Sequence, residues 1–485
     1  MKNIAIISRS LNSGGAERIA GLLSKELSNY YNVYLFLLNT EDKVYEWGGE
    51  IVDIGQLGAF YEYPISFYKK FYKIDVAISF LEIMNFANIR ASEDEKIIIS
   101  ERCVQSLIEP SLVSQRLRIK RYYDFADEIV SCSEGVKYDM VHNYGIKNKM
   151  TTIYNFIDKE GIISKSHDEI SNKVRNFLKG AEFFVNVGRL HPQKKQKRLI
   201  KQFSYFHTIY QNIKLIIIGS GELESELESY ITELDLKNSV KIISYTPNPF
   251  IYIAKAKALI LSSHYEGLPN VILEAMTLGC PVIATDCLAG PRELLIDEMN
   301  YEKPMEPLRI GKRGILVCDD KTEDTGESWN MAKAMEILCE SDSLAKELRE
   351  NGLSYMDEYT NHKILEQWIN VIEREKRREK VNILKKEDDL LRNAKYIVIY
   401  GAGLVGKNMF LKLSKEYKID CFVVTKKRTG EVSFLGVPII EISDLNYNPN
   451  DTAIIIGVGD NSQDDVIRTS EKYGFRQYVF PYIEP

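Results

Sequence analysis

The stretch Ala258-Leu-Ile-Leu-Ser-Ser-His-Tyr-Glu-Gly-Leu-Pro-Asn-Val-Ile-Leu-Glu-Ala-Met-Thr-Leu-Gly-Cys-Pro-Val-Ile-Ala-Thr-Asp286 decides the fold of this chain. Its pattern predicts a short apolar strand, Ala258 to Leu261, then a polar loop and a helix from about Asn270 to Leu278. A Gly-Cys-Pro stop follows, and then a second apolar strand over 282–284. This order is a unit of a parallel sheet, in which the loop at the carboxyl end of the first strand is the usual ligand position.

Two glutamates, Glu266 in the loop and Glu274 in the helix, are the candidate functional residues of this unit. We expect Asn270 to be the helix N-cap, and the N–H groups of Val271 and Ile272 to point outward and attract a phosphate. Glu274 is then expected to accept hydrogen bonds from ribose hydroxyls, while Glu266 faces the sugar or the reacting centre. Taken alone, the pair is better explained by a solvated loop residue and a first-turn glutamate that the helix dipole favours.

The residues from Ser263 to Asp286 resemble the signature of retaining glycosyltransferases of family 4. The resemblance extends over about residues 1–375. It implies an α/β GT-B fold, with two doubly wound Rossmann-like domains facing a cleft, and a nucleotide-sugar donor. The residues of this stretch that the resemblance places at the donor are Glu266, Gly267, Leu268, Pro269, Asn270, Val271 and Glu274.

A second candidate element, Val187-Gly-Arg-Leu-His-Pro-Gln-Lys194, follows the predicted strand Phe183 to Val187. Arg189 can bind a diphosphate through its planar fork, and Lys194 can bind it as a point charge. A charged loop in a lysine-rich surface is the alternative. The pattern Gly-Arg-Leu-x-x-x-Lys resembles the family's phosphate-binding element, which implies donor binding by Gly188 and catalytic roles for Arg189, Lys194 and Glu266.

Loops at the ends of further short strands complete the predicted cleft. These strands are predicted over Ile4 to Ser8, Val33 to Leu38, Val76 to Ser79, Ile97 to Ser100 and Glu128 to Ser131, with helical stretches between them. Gly14 and Gly15 let the backbone approach a ligand at a helix start, and the matching family loop lies beside the diphosphate and the acceptor. Glu101 stands where many family members have a histidine that contacts the donor sugar; a surface salt bridge is the alternative role. Two loops are assigned by resemblance alone: the base-binding loop, with Tyr245 and Thr246, and the loop Gly290-Pro-Arg-Glu293, which either contacts the acceptor or only shapes the cleft.

Length and composition limit the kinds of protein that this chain can be. The 485 residues suffice for about three domains, and a net charge of −6 gives no reason to expect nucleic acid. Seven scattered cysteines favour a reducing cytosol over a zinc site or disulfides. The chain offers neither a secretion signal nor an apolar run of about 20 residues. We therefore expect a cytoplasmic protein.

Peripheral contact with the inner face of a membrane is a further expectation. The stretches 68–73 and 117–123 interleave basic and aromatic residues, and such stretches bind anionic lipid. Two helices with solvated charges and inward-packed aromatic rings are the alternative.

Composition shifts divide the chain into five predicted parts. Residues 1–165 form an acceptor-side Rossmann-like domain that ends in a polar run, and residues 166–354 form the nucleotide-sugar-binding domain. Residues 355–375, which contain a helix predicted from Tyr355 to Glu373, cross back to the first domain. Residues 376–390 form a solvated charged linker, and residues 391–485 form an accessory Rossmann-like domain.

The accessory domain begins with Ile397-Val-Ile-Tyr-Gly-Ala-Gly-Leu-Val-Gly406, a strand followed by Gly-x-Gly-x-x-Gly. This pattern is typical of dinucleotide binding. Three more strands are predicted, over Cys421 to Val424, Val437 to Ile440 and Ala453 to Val458. The acidic residue expected after the next strand is replaced by Thr425-Lys-Lys427, which leaves no carboxylate for a ribose hydroxyl. The ligand of this module therefore stays open between a nucleotide, a sugar phosphate and a protein.

The resemblance implies a retaining, metal-independent glycosyltransferase without a cofactor. It would move a hexosyl or N-acetylhexosaminyl group from a nucleotide-diphosphate sugar, with UDP expected, to a glycan or lipid-linked acceptor in bacterial polysaccharide or glycoconjugate assembly. No Asp-x-Asp closes an apolar strand to bind a metal. The alternatives are a nucleotide-sugar epimerase of related fold and a catalytically silent glycan-assembly partner. A dehydrogenase would explain only the last hundred or so residues.

Overall fold

The computed structural model describes residues 1–12, 14–55, 62–108, 113–148, 150–302, 306–318, 328–376, 383–427, 430 and 432–480. These residues form three sheets that follow one another along the chain. No helix among them is both long and apolar enough to cross a bilayer. The first two sheets face a cleft, and the third packs behind the first.

The first sheet has seven parallel strands in the order β3-β2-β1-β4-β5-β6-β7. The apolar runs predicted as strands are strands, because parallel strands covered on both faces need continuous β-branched residues. Two short edge strands, β3 and β7, were not predicted. The strands are β1 Asn3–Ser8, β2 Asn32–Leu37, β3 Glu50–Asp53, β4 Val76–Phe80, β5 Lys96–Glu101, β6 Glu128–Ser131 and β7 Met150–Thr152. The helices are α1 Gly15–Leu27, α2 Glu62–Phe71, α3 Glu82–Arg90, α4 Val113–Tyr122 and α5 Glu134–Tyr144.

The second sheet repeats this order, as β10-β9-β8-β11-β12-β14-β13, with only β13 antiparallel. In both sheets the strand order reverses beside the first strand, and the crevice at that point is where such sheets bind ligands. The strands are β8 Phe183–Val187, β9 Lys214–Ile218, β10 Val240–Ile243, β11 Ala258–Leu261, β12 Val282–Thr285, β13 Leu308–Ile310 and β14 Ile315–Val317. The helices are α6 Lys159–Ser166, α7 Asn172–Leu178, α8 Gln196–Ile209, α9 Glu224–Glu233, α10 Phe250–Ile253, α11 Asn270–Thr277, α12 Pro291–Ile296, α13 Asn330–Glu340 and α14 Asp342–Glu358.

One local expectation near the second domain is wrong, and one segment has more regular structure than its pattern indicates. The polar, poorly periodic run 159–179 contains helices α6 and α7, because Asp158 caps α6 at the Gly161 N–H, 2.9 Å away, and Ile162 is buried. The helix expected from Tyr355 to Glu373 is interrupted after Glu358. A new helix, α15 Asn361–Glu373, starts there with Thr360 as its N-cap.

Helix α15 packs against the first sheet. Trp368 is fully buried, and its ring lies 6.3 Å from that of Phe80 at the end of β4. Lys96 Nζ donates to the Val371 carbonyl at 2.6 Å, and Tyr31 donates to Glu373 at 2.8 Å. The last helix before residue 375 therefore completes the core of the first domain.

The third sheet has the order β17-β18-β16-β15-β19-β20. It contains a short hairpin strand, β17, and a final edge strand, β20, in addition to the four predicted strands. The strands are β15 Tyr396–Tyr400, β16 Cys421–Val424, β17 Ser433–Phe434, β18 Val437–Glu441, β19 Thr452–Ile456 and β20 Tyr478–Val479. The helices are α16 Ile383–Asn393, α17 Leu404–Leu413 and α18 Asp460–Lys472.

The charged connector expected before the third sheet, which was predicted to be helical and solvated, is a helix from Ile383 but is not solvated at every position; residues 377–382 lie outside the described residues. Glu387, on α16, is buried and pairs with Arg90 at 3.2 Å. Tyr122 of α4 also donates to Glu387. An ion pair this well enclosed needs its partner, since an uncompensated buried charge is strongly destabilising. The third domain is thereby fixed to the first.

Candidate active site

The loop between β11 and α11, which carries Glu266, lies at the carboxyl end of the second sheet and faces the first domain. Pro269 precedes α11, and Asn270 is its first residue, so the expected N-cap role of Asn270 is wrong. The Ile272 N–H donates to the Pro269 carbonyl at 3.0 Å and does not point outward as expected. Asn270 instead accepts a hydrogen bond from Asn155 at 2.6 Å.

Glu266 and Lys194 form an ion pair of 2.6 Å between the loops after β11 and β8. The two side chains are only 10% and 17% exposed. The loops are joined further by Ser262, whose hydroxyl donates to the Lys194 carbonyl at 2.7 Å. Because β8 and β11 are neighbours in the sheet, the doubly wound strand order brings these residues together, although 72 positions separate them. A partly enclosed pair of this kind holds both groups in fixed positions at the cleft.

Arg189 is exposed in the same β8 loop and lies near Glu17 of α1. Burial raises the pKa of the Glu17 carboxyl, and the charges of Arg9 and Arg189 act in the opposite direction. Gly188 and Gly219 let the β8 and β9 loops touch, since a Cβ at Gly219 would lie 1.9 Å from the Gly188 carbonyl oxygen. Arg189 is therefore presented from a tightly packed loop toward the other domain.

The starts of helices α1 and α11 converge at the cleft. Gly14 precedes α1 with φ of 105°, which favours glycine. A Cβ on Gly15 would lie 3.5 Å from the Asn270 side-chain nitrogen. Two helix N-termini directed at one place produce a positive potential there, and anions such as phosphates bind in such potentials.

Arg18 is a cleft residue that the sequence did not single out, although it ends the stretch Gly14-Gly-Ala-Glu-Arg18, which contains the two predicted glycines. Its Nη1 lies 2.7 Å from Glu274 Oε1, and the Glu274 side chain is 7% exposed. Burial disfavours the Arg18 charge, but the Glu274 carboxylate outweighs burial and raises the pKa of Arg18. The residue expected to bind ribose is thus held by a cation from the opposite domain.

Tyr245 and Thr246 lie in the loop after β10, at the outer end of the cleft. The Tyr245 side chain is 63% exposed, and its N–H donates to Ser220 at 2.9 Å. Tyr45 of the first domain lies close enough to interact electrostatically with Tyr245, and burial raises the pKa of Tyr45. Two tyrosines from opposite domains therefore flank this end of the cleft.

Glu101 is fully buried at the end of β5, so the alternative of a surface salt bridge is wrong. Its carboxylate accepts hydrogen bonds from Tyr123 at 2.8 Å, Gln105 at 2.8 Å and the Arg102 N–H at 3.0 Å. Burial raises its pKa to about 7, against the lowering effect of these donors. All three partners belong to the first domain, and contact of Glu101 with a donor sugar stays a prediction.

Asn155, just after β7, connects the two domains below the cleft. Its amide nitrogen donates to Asn270 and, at 3.2 Å, to the Leu268 carbonyl, while its oxygen accepts from Arg102. The backbones also touch, because a Cβ at Gly267 would lie 1.9 Å from the Arg102 carbonyl oxygen. The loop between β11 and α11, called the donor loop below, is therefore held by residues of both domains.

The described residues of this site do not include a cluster of side chains that could bind a metal ion. Within the described ranges, no group of three or more His, Cys, Asp and Glu side chains lies close enough together to hold a metal ion. Metal-independent action remains a prediction, based on the cations Arg189 and Lys194.

Known proteins resemble both the sequence and the fold. Residues 167–308 match the family described as glycosyl transferases group 1. An uncharacterised glycosyltransferase of Methanocaldococcus jannaschii is 34% identical over 268 residues, which cover 53% of this chain and 66% of that protein. The Campylobacter jejuni N-acetylgalactosamine-N,N'-diacetylbacillosaminyl-diphospho-undecaprenol 4-alpha-N-acetylgalactosaminyltransferase is 32% identical over 321 residues, which cover 61% of this chain and 84% of that enzyme.

The fold is also found among solved structures. Anabaena HepE, solved in complex with UDP, superposes with a TM-score of 0.59 at 19% identity and covers 77% of this chain and 99% of its own. Two doubly wound sheets that face a cleft, with a crossing helix, are the GT-B arrangement. The chain has this fold, and it belongs to the group 1 glycosyltransferases.

Proposed function

We propose that this glycosyltransferase transfers a hexosyl or N-acetylhexosaminyl group from a UDP-sugar to a glycan or lipid-linked acceptor, with retention of configuration, in bacterial polysaccharide or glycoconjugate assembly. The observation that carries the proposal is the convergence of α1, α11, Arg189 and Lys194 at one cleft. The names of the relatives support the substrate class, since one transfers N-acetylgalactosamine to a diphospho-undecaprenol glycan and HepE was solved with UDP. Retention is supported by the resemblance of the Glu266–Glu274 stretch to family 4.

In this proposal the donor diphosphate lies at the start of α11. As the sugar departs, negative charge develops on the diphosphate, and Arg189 and Lys194 are placed to stabilise it without a metal. Glu266, held by Lys194 at 2.6 Å, faces the reacting sugar. The Glu274 carboxylate, which Arg18 orients, accepts hydrogen bonds from the ribose hydroxyls.

A donor screen tests the proposal. The chain is incubated with a panel of nucleotide sugars and a short lipid-linked diphosphate acceptor, and released nucleoside diphosphate and the anomeric configuration of the product are measured. We expect release that needs both UDP-sugar and acceptor, with the donor's anomeric configuration kept. Conversion of the donor without acceptor would instead identify an epimerase, and no turnover of any donor would favour a silent partner.

The third domain is proposed to be an accessory to catalysis, because none of its described residues contributes to the cleft contacts above. A chain ending at Asn393 keeps Glu387 and removes the third sheet, and we expect its transfer rate to stay within about threefold of the full chain. A matched chain ending at Lys386 also loses the Arg90–Glu387 pair and should be less stable by about 3 kcal/mol. Thermal unfolding and transfer rates of both chains measure this. A folded Asn393-terminated chain without transfer would show that the third domain completes the site.

Peripheral membrane contact is proposed for α2 alone. Phe67 and Phe71 on α2 are 51% and 66% exposed beside the exposed Lys70 and Lys73, and such a mixture of rings and cations binds anionic lipid. The other basic stretch, on α4, is covered by the third domain through Arg118 and Arg121. Sedimentation with anionic vesicles, compared with a Phe67→Ser/Phe71→Ser variant, measures the contact; equal sedimentation of the two would exclude it.

A further inference from the structure

Glu293, from the predicted Gly290-Pro-Arg-Glu293 loop, lies in the first turn of α12 and projects from the second domain into the first. Its side chain is buried and receives the Glu134 and Gly135 backbone N–H groups, at the start of α5, at 2.8 Å each. Tyr301 also donates to it at 2.7 Å, and Tyr154 at 3.2 Å. A carboxylate at a helix N-terminus is favoured by the orphan donors and by the helix dipole.

The neighbouring Arg292 points the other way and binds its own domain. Its guanidinium forms a two-pronged pair with Asp286, at 2.9 and 2.8 Å, just after β12. Both side chains of this pair are nearly buried. Successive residues thus fix the loop to the second domain through Arg292 and to the first through Glu293.

The same loop lies against the donor loop. A Cβ at Gly290 would lie 2.4 Å from Pro269 Cδ and 3.2 Å from the Gly267 carbonyl oxygen. On the opposite side, a Cβ at Gly135 would lie 2.6 Å from the Leu288 carbonyl oxygen. The loop is therefore a packed layer between α5 and the donor loop, with no room for either to shift independently.

We infer that Glu293 is a positioning residue for transfer. It accepts hydrogen bonds from the start of α5, a contact called the clasp below, and thereby holds the donor loop, with Glu266, in a fixed position relative to the first domain. Of the two roles considered for Gly290-Pro-Arg-Glu293, contact with the acceptor and shaping of the cleft, we assign the second. The assignment rests on the proposed transfer from a nucleotide sugar. Arg189, Lys194 and the start of α11 belong to the second domain, and only the start of α1 reaches the diphosphate from the first, so binding of the bare diphosphate depends less on the clasp than sugar transfer does.

The test compares Glu293→Gln with Glu134→Gln, which removes a charge from a partly exposed neighbour on α5. An amide at position 293 must turn its NH₂ group toward one of the two backbone donors. We expect the turnover of Glu293→Gln to fall by about tenfold or more, because small misplacements of reacting groups are costly, while UDP affinity by calorimetry changes less than about threefold. Hydrogen exchange at the first turn of α5 should quicken, and Glu293→Asp should recover part of the rate. Glu134→Gln should match the wild type.

Two outcomes would overturn the inference. One is Glu293→Gln turning over as fast as Glu134→Gln. The other is equal losses of turnover, UDP affinity and melting temperature, which would show a general structural role. A wild-type chain that turns over no donor would remove the proposed function instead; hydrogen exchange would then test the clasp alone, and unchanged protection at the start of α5 would refute it.

Discussion

Lys194→Ala and Arg189→Ala should each lower the rate of sugar transfer by about 10² or more, because in the proposed function both cations face the place where charge develops on the leaving diphosphate. Lys194→Ala has a second effect, since it removes the 2.6 Å partner of Glu266. We therefore expect the larger loss for Lys194. Initial rates and donor titrations on folded variants measure both effects.

Surface cations provide the matched controls. Lys197→Ala removes a lysine of the same loop region that pairs with Glu226 at 2.7 Å, and both of these side chains are more than half exposed. Arg175→Ala removes an arginine that pairs with Glu169 on the surface. Both controls should transfer at the wild-type rate. Near-normal turnover in Lys194→Ala and Arg189→Ala would remove the assignment to the leaving group.

Glu266→Gln and Glu274→Gln should separate chemistry from donor binding. Glu266→Gln is expected to keep UDP affinity and to lower turnover by about 10², because the sugar-side carboxylate is lost. Glu274→Gln is expected to weaken UDP binding by about tenfold, since a charge-assisted hydrogen bond contributes about 1.5–3 kcal/mol. UDP contains the ribose and lacks the sugar, so calorimetry with UDP distinguishes the two roles.

Arg18→Met is the control for the Glu274 experiment. It removes the 2.7 Å ion pair and leaves the Glu274 carboxylate in place. If Glu274 binds ribose directly, UDP affinity should fall less in Arg18→Met than in Glu274→Gln. Loss of UDP binding in Glu266→Gln with normal binding in Glu274→Gln would mean that the two roles are reversed.

Much of the fold was predictable because buried parallel strands have a distinctive composition. Ile4–Ser8 and Ala258–Leu261 are continuous apolar runs, and the structure confirms both as strands. Strand β3, Glu50–Asp53, contains only two apolar residues, and β7, Met150–Thr152, contains one. These edge strands exist because a neighbour offers unpaired backbone groups, which no local pattern reveals.

Contacts between site residues of the same domain were predictable from the sequence, and contacts between residues of different domains were not. Lys194 and Glu266 follow neighbouring strands, so the strand order alone brings them together. The Arg18–Glu274 and Glu293–Gly135 contacts join positions 256 and 158 residues apart in different domains. Their existence depends on how two rigid halves meet, and a single sequence does not determine that placement locally.

The burial of Phe80 under Trp368 sets an order of events during synthesis. Phe80 leaves the ribosome roughly 290 residues before Trp368, which at about 5–20 residues per second is about 15–60 s. Through that interval the residues of the first sheet lack the helix that covers part of one face in the complete chain. An exposed apolar face of a nascent sheet is a binding surface for chaperones and for other incomplete chains. The crossing helix that closes the enzyme's first domain therefore also makes the nascent chain depend on protection until its last quarter is synthesised.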